Sequence, residues 1–138
     1  MTRQKARFIT IALIVGILVL LTPWRIQIVP AWKLRVIDEN GKPISALTVS
    51  QTWVDPNCRF FWLEEDYRTD GNGLVNFPER YTWQNIFLRV AAPIWNRLYS
   101  PTLPDNYDAT AFGWGDYAYG QVYYRRGQLL PETLVMYR

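Results

Sequence analysis

The fold is decided by an alternating stretch in the first half of the chain, Leu47-Thr48-Val49-Ser50-Gln51-Thr52-Trp53. Its apolar side chains at 47, 49 and 53 share one face, and the hydroxyl-bearing residues at 48, 50 and 52 share the other. A period of two residues is typical of a β-strand with one buried face. Shorter alternations recur at residues 34–36, 86–90 and 134–136, and we therefore expect a series of short strands.

Two glycine-containing turns lie between these alternations, at residues 38–43 (DENGKP) and 70–73 (DGNG). Asn and Gly tolerate the positive φ that a tight reversal needs, which predicts two hairpins. We expect no helix after Leu21. Short strands at this spacing predict an all-β fold, in which residues 33–138 form an antiparallel, Ig-like β-sandwich.

Around these turns the chain resembles the carboxypeptidase regulatory-like family, which consists of small β-sandwiches of transthyretin-like topology. The resemblance lies in residues 36–44 (VIDENGKPI), the Thr48-Val49 pair and residues 69–77 (TDGNGLVNF). Residues 87–93 (FLRVAAP) are similar to the strand that follows in the family. The resemblance implies a transthyretin-like sandwich and a noncatalytic module for attachment or interaction, because chemistry in this family normally resides in a neighbouring domain.

The N-terminus combines a basic start with an apolar run. Arg3, Lys5 and Arg7 precede fourteen uncharged residues, Phe8 to Leu21, eleven of which are Ile, Leu, Val or Phe. As a helix this run is about 21 Å long, or about 26 Å if it continues through Trp24, near the short end of a membrane span. The pattern predicts a cytoplasmic start and transmembrane anchor over residues 1–24. The expected anchor residues are Phe8, Ile11, Ile14, Leu18, Leu21 and Trp24.

A cleaved secretory signal is the alternative interpretation, because Val29-Pro30-Ala31 resembles a small-residue cleavage site. A basic start favours an N-terminus in the cytoplasm and export of the following domain. We therefore expect a single-pass protein of the bacterial inner membrane. A linker at residues 25–32 would lead to a periplasmic domain at residues 33–138.

Charge and composition exclude several classes of function. Fifteen basic and twelve acidic residues give a net charge of +3, but three basic residues lie in the N-terminal start, so the rest is neutral. It has no basic block, and we expect no nucleic-acid partner. The chain has no histidine, the commonest general base and zinc ligand. Its single cysteine, Cys58, stands among aromatic residues, which favours a buried apolar group over a nucleophile. We expect no catalytic residue, metal or cofactor.

The segment at about residues 94–128 is an aromatic-rich insertion that ends in two arginines. Tyr, Trp and Arg are enriched where proteins contact each other. Alternatively, residues 117–124 form a strand whose alternate tyrosines pack inward, and both interpretations can hold together. The candidate partner contacts are Trp95, Tyr107, Trp114, Tyr117, Tyr119, Tyr123, Arg125 and Arg126.

Three functions follow from these features. The first is an accessory or structural subunit that docks its sandwich onto a larger membrane protein complex of respiratory, photosynthetic, transport or secretion type. Its partners would be other protein subunits and the lipid bilayer. The second is a carbohydrate or cell-wall binding module, in which Trp95 or Trp114 would stack on a sugar ring. The third is an enzyme, which the missing histidine disfavours.

Overall fold

The computed structural model describes residues 3–99, 107–115 and 119–137 of the chain. In chain order the elements are α1 (Arg3–Leu21), β1 (Trp24–Val29), β2 (Trp32–Asp38), β3 (Thr48–Asp55), β4 (Cys58–Arg68), β5 (Leu74–Phe77), β6 (Arg80–Gln84), α2 (Ile86–Tyr99), β7 (Ala109–Gly113), β8 (Gly120–Tyr124) and β9 (Thr133–Met136). Nine strands within the described ranges lie in sheets, so the prediction of a β-rich domain is confirmed.

The strands form two main sheets and a separate two-stranded ribbon. One sheet has the order β4-β3-β7-β8, the second has the order β5-β2-β9, and the ribbon pairs β1 with β6. All these pairs are antiparallel except β2 with β9, which run parallel. The fold is thus a β-sandwich in which one strand pair departs from the antiparallel arrangement that the sequence predicts.

The core lies between the inner faces of the two main sheets. Leu34, Val36 and Leu134 of the three-stranded sheet share one buried cluster with Val49 and Ala111 of the four-stranded sheet. Burying an aliphatic side chain of this kind contributes about 1.5–3 kcal/mol. This packing confirms the inward face that the sequence alternation predicts for Val49.

Trp32 is the largest fully buried side chain. Its ring centroid lies 5.7 Å from that of Phe77. Its Nε1 donates a hydrogen bond of 2.6 Å to the carbonyl oxygen of Pro131. The ring therefore fills the core without leaving its N–H unpaired, as a buried indole requires.

Both predicted turns are present, and the same type of aspartate hydrogen bonding stabilises each of them. Asp38 Oδ1 accepts hydrogen bonds from the backbone N–H groups of residues 40 and 42, and Asp70 Oδ1 accepts from those of residues 72 and 74. Gly41 has a φ of 78° and Gly73 a φ of 71°, the left-handed region that glycine adopts most easily. These turns reverse the chain as the sequence predicts.

The two predicted hairpins, however, are wrong. The strands β2 and β3, which flank the first turn, lie in different sheets, as do β4 and β5, which flank the second. Thr69 helps to hold the first crossover, because its Oγ1 accepts from the N–H of Leu47 and donates to the carbonyl of Ile44. A tight turn therefore reverses the chain here without pairing its own two strands.

The prediction of a transmembrane anchor is also wrong. The helix α1 ends at Leu21, and Trp24 begins β1 and pairs with Gln84 of β6. The helix cannot continue through Trp24, and its uncharged run is only about 21 Å long. No helix in the described ranges is both long and apolar enough to cross a membrane. Of the expected anchor residues, Trp24 begins β1 and the others lie on α1, namely Phe8, Ile11, Ile14, Leu18 and Leu21.

The predicted localisation depended on that span. A single-pass protein of the bacterial inner membrane, with a cytoplasmic N-terminus and a periplasmic domain, needs a helix that crosses the bilayer. Because no described helix meets this requirement, the prediction is wrong. The segment expected to be a linker, at residues 25–32, contains most of β1.

The predicted strand at residues 86–90 is instead the start of α2. Asn85 precedes this helix, and its Oδ1 accepts a hydrogen bond of 2.8 Å from the N–H of Leu88, which is the bond of an N-cap. Phe87, Val90 and Ile94 also recur at helical spacing. The strand that the family resemblance predicts at residues 87–93 is therefore wrong.

Candidate functional site

The candidate site lies on the outer face of the four-stranded sheet. Thr110 on β7 pairs with Tyr123 on β8, and Phe112 pairs with Gln121. Directly opposed residues of a sheet share a face. Because the alternate residues Ala111 and Tyr124 belong to the core, Tyr123 and Gln121 project away from it.

Three tyrosines lie on this face: Tyr123 on β8, Tyr119 directly before β8, and Tyr107 shortly before β7. We call Tyr107, Tyr119 and Tyr123 the outer tyrosine row. The rings of Tyr107 and Tyr123 stack with centroids 4.1 Å apart and planes 26° apart. The Tyr119 hydroxyl donates to Oε1 of Gln121, its neighbour on the same face. Each of the three tyrosines remains between 43% and 48% exposed, so the row presents aromatic surface to solvent.

Within the outer tyrosine row, the surroundings of Tyr119 favour its neutral form. Partial burial, and secondarily the nearby Tyr123, raise the pKa of Tyr119 above its ordinary value. Tyr119 therefore stays protonated at neutral pH and can donate a hydrogen bond. A neutral aromatic ring with a polar tip can be buried against a partner without the cost of desolvating a charge.

Along β8, one tyrosine packs inward as the strand interpretation predicts, and its neighbour is exposed; the partner contact stays a prediction. Tyr124 is buried, with its ring centroid 6.4 Å from that of Trp32. Tyr123, one residue earlier, is on the exposed face. Alternate tyrosines thus pack inward and point outward along one strand, as the period of two requires.

The other predicted contact residues are distributed over several elements. Trp114 follows β7 and Arg125 follows β8, and both are exposed. Arg126 is used within the fold, because its N–H donates to Asp108 Oδ2 at 2.6 Å and its Nη2 donates to the carbonyl of Gln27 at 3.2 Å. Trp95 lies on the helix α2 and not on a strand of the four-stranded sheet. Tyr117 lies outside the described residues.

Sequence reasoning missed the polar side of the same face. Glu64 pairs with Thr52 and Asp66 pairs with Ser50 across β3 and β4, which extends the outer face to two carboxylates. Ser50 is fully buried, and its Oγ donates to Asp66 Oδ1 at 2.5 Å. The pattern of alternation could have separated Glu64 and Asp66 from Glu65, but only the strand pairing places them on the sheet that carries the tyrosines.

A second polar cluster faces inward and stabilises the fold. Glu65 forms a salt bridge with Arg80 at 2.5 Å. Hydrogen bonds from Arg80 and Tyr67 lower the pKa of the Glu65 carboxyl, while burial raises the pKa of Tyr67.

Within the described ranges no three His, Cys, Asp or Glu residues are placed to hold a metal ion. The described arrangement is thus suited to binding through aromatic and hydrogen-bonding groups.

Comparison with protein-family models gives no match to this chain, and the curated proteins give none either. The resemblance to the carboxypeptidase regulatory-like family stays a prediction.

Proposed function

We propose that this protein is a noncatalytic accessory subunit that docks onto a larger protein assembly through its outer tyrosine row. The observation that carries this proposal is the exposed stack of Tyr107 on Tyr123, with Tyr119 on the same sheet face. Aromatic residues of this kind dominate the energetics of protein interfaces.

The geometry lowers the cost of binding at this surface. The stack holds the Tyr107 and Tyr123 rings against each other, and the strand β8 fixes the backbone of Tyr123. Less side-chain freedom is then lost when a partner covers the rings. Exposed Trp114 and Arg125 lie next to the strands of this face and extend it with residue types common at interfaces.

A carbohydrate is the second candidate ligand. The observation in its favour is that Asp66 and Glu64 lie on the same sheet face as the tyrosines. Carboxylates can accept hydrogen bonds from sugar hydroxyls, while aromatic rings provide apolar surface for stacking. Trp114, which is 61% exposed, is the most accessible ring near this face.

Site-specific photo-crosslinking in the native cell tests the first candidate. A photoreactive phenylalanine analogue would replace Tyr119 or Tyr123, and Lys33, exposed on β2 of the other sheet, would serve as the control position. We expect one protein to be captured at both tyrosine positions and not at Lys33. Equal capture at Lys33, or no capture at the tyrosines, would contradict the proposal.

A double substitution, Tyr107→Ala with Tyr123→Ala, provides the quantitative test. Loss of two interface aromatics should weaken partner binding at least ten-fold, since each hot-spot residue contributes about 2 kcal/mol or more. Tyr81→Ala, on the β1–β6 ribbon, is the matched control and should leave binding unchanged. If Trp114→Ala instead abolishes binding to a glycan array and no protein is captured, the carbohydrate candidate replaces the first.

A further inference from the structure

The two helices present an apolar surface that the sandwich does not cover. Every side chain of α1 from Phe8 to Leu21 is exposed. On α2, Phe87, Val90, Ile94 and Leu98 are between 58% and 70% exposed and recur at intervals of three or four residues, which places them on one helix face. Contiguous apolar surface of this extent marks a binding site.

The fold brings the two helices together. Trp24 at the start of β1 pairs with Gln84 at the end of β6, so α1 enters and α2 leaves at the same end of the ribbon. An open apolar groove between the helices has a volume of about 290 Å³. It is lined by Ile17, Leu20, Leu21, Ile86, Phe87 and Val90. The apolar faces of α1 and α2 thus form one surface, which we call the helical apolar surface.

The charged residues of the two helices have one sign. Lys5 and Arg7 are exposed on α1, and Arg89 and Arg97 are exposed on α2. Neither helix sequence contains Asp or Glu. Arg25 adds a further exposed cation where β1 begins. An apolar surface on helices whose only charged side chains are cations complements a layer whose interior is hydrocarbon and whose boundary is anionic.

The side chains at the helix ends are also those of a lipid boundary. Trp24 and Trp83 lie on adjacent strands at the end of the ribbon where α1 ends and α2 begins, and they are 55% and 63% exposed. Tryptophan is enriched at the headgroup level of bilayers, where one side of the ring is apolar and the N–H is wet. A protein that covered this surface would need acidic residues opposite the cations, whereas an anionic lipid surface provides the opposite charge with its headgroups.

We propose that the helical apolar surface binds the surface of a lipid bilayer containing anionic lipids, with α2 lying in the headgroup region and the apolar run of α1 at the acyl boundary beside it. Binding of this kind buries apolar side chains at the acyl boundary and leaves the cations among the headgroups. It does not require a helix to cross the bilayer. The helical apolar surface shares no residue with the outer tyrosine row.

Vesicle binding of the full-length chain tests this proposal. In a Cys58→Ser background, an environment-sensitive fluorophore would be attached at Val90→Cys or, as a control, at Leu129→Cys, since Leu129 is 96% exposed in the β8–β9 connection. Vesicles of phosphatidylcholine alone would be compared with vesicles in which one third of the lipid is phosphatidylglycerol. We expect a blue shift at position 90 and none at 129, with tighter binding to the anionic vesicles.

Two sets of substitutions separate the apolar and ionic contributions. Phe87→Ser and Leu98→Ser should each lower the partition coefficient about ten-fold, whereas Leu129→Ser should not change it. Lys5→Ser and Arg7→Ser should each lower binding to anionic vesicles about five-fold and leave binding to neutral vesicles unchanged. The near-ultraviolet circular dichroism of the core aromatics would verify that each variant is folded.

Three results would overturn the proposal. One is the absence of co-flotation with either type of vesicle. Another is a blue shift at position 90 that rises with protein concentration without vesicles, because a second copy of the chain would then cover the helical apolar surface. The third is equal binding of Lys5→Ser and the unsubstituted chain to anionic vesicles at low salt.

Discussion

The guanidinium carbon of Arg80 lies 3.9 Å from the centroid of the Trp53 ring. From this position Arg80 Nε donates to Oε1 of Gln51 at 3.1 Å, and Nη2 donates to the Tyr67 hydroxyl at 2.8 Å. The same Nη2 forms the salt bridge with Glu65. Gln51 is fully buried on β3, so water cannot donate a hydrogen bond to its side-chain oxygen and Arg80 does so instead. The same contacts join β6 to the four-stranded sheet.

Replacement of Arg80 by methionine should therefore destabilise the fold. Arg80→Met leaves the buried Gln51 oxygen without its donor, which costs about 1–3 kcal/mol in the free energy of unfolding. Urea titration followed by tryptophan fluorescence measures this loss. Arg68→Met, at an exposed position on β4, is the control and should change the free energy by less than about 0.5 kcal/mol. Equal losses in the two variants would contradict the assigned role.

The same cluster predicts a pH dependence. Hydrogen bonds from Arg80 and Tyr67 hold the pKa of Glu65 below its ordinary value of 4.5. A lowered folded-state pKa contributes stability above the unfolded-state pKa, and this contribution is lost as the pH falls through the folded-state pKa. The free-energy difference between the unsubstituted chain and Glu65→Gln should thus shrink below about pH 4.5. Because Glu65 is half exposed, we expect this change in the free-energy difference to be small. It would be measured by urea titrations of both proteins in parallel at each pH. A difference that does not vary with pH would contradict it.

Alanine at Gly73 should destabilise the second turn. A Cβ at this position would lie 2.6 Å from the carbonyl oxygen of Val36, and the φ of 71° is unfavourable for alanine. Strain in the left-handed region alone costs about 1–2 kcal/mol, so Gly73→Ala should lower the melting temperature by several degrees. Gly71→Ala meets no atom within 4 Å and should leave the melting temperature nearly unchanged. A lower melting temperature for Gly71→Ala than for Gly73→Ala would contradict the assignment of the left-handed position to residue 73.

These turns show how much of the fold the sequence reveals. The Asp side chain that caps each turn and the glycine with positive φ act over four residues, and such local chemistry is visible in the sequence. The partner of each strand depends on residues far away along the chain. Nothing near Asp38 or Asp70 shows that the following strand crosses to the other sheet, and the two hairpins were therefore predicted wrongly.

The helices and the candidate site were limited in the same way. Ile86, Leu88 and Val90 fit a period of two, and only the cap at Asn85 and the stripe from Phe87 to Leu98 distinguish a helix. Along β8 the alternation is clear, but the pairing with β7 decides which tyrosine faces the core. Sequence reasoning could therefore predict the aromatic character of the site, but neither which tyrosines are exposed nor the carboxylates on β4.

The N-cap of α2 offers a direct test of that helix. Asn85→Ala removes the hydrogen bond to the Leu88 N–H and should destabilise the helix by about 1 kcal/mol. Amide hydrogen exchange of residues 88–92 should then become about five-fold faster. Asn85→Asp keeps a capping oxygen and should retain the protection. If both variants exchange like the unsubstituted chain, the cap does not limit local opening of α2.

The neighbouring tyrosines 123 and 124 test the assignment of the two faces of β8. Tyr124 is 6% exposed and belongs to the core, whereas Tyr123 is 43% exposed and stacks on Tyr107. Tyr124→Ala should lower the free energy of unfolding by about 3–5 kcal/mol, because it leaves a large cavity. Tyr123→Ala should lose only the stacking, about 0.5–1.5 kcal/mol. Urea titrations of the two variants measure both losses, and a larger loss for Tyr123→Ala would mean that β8 is paired one residue out of register, with its binding face turned into the core.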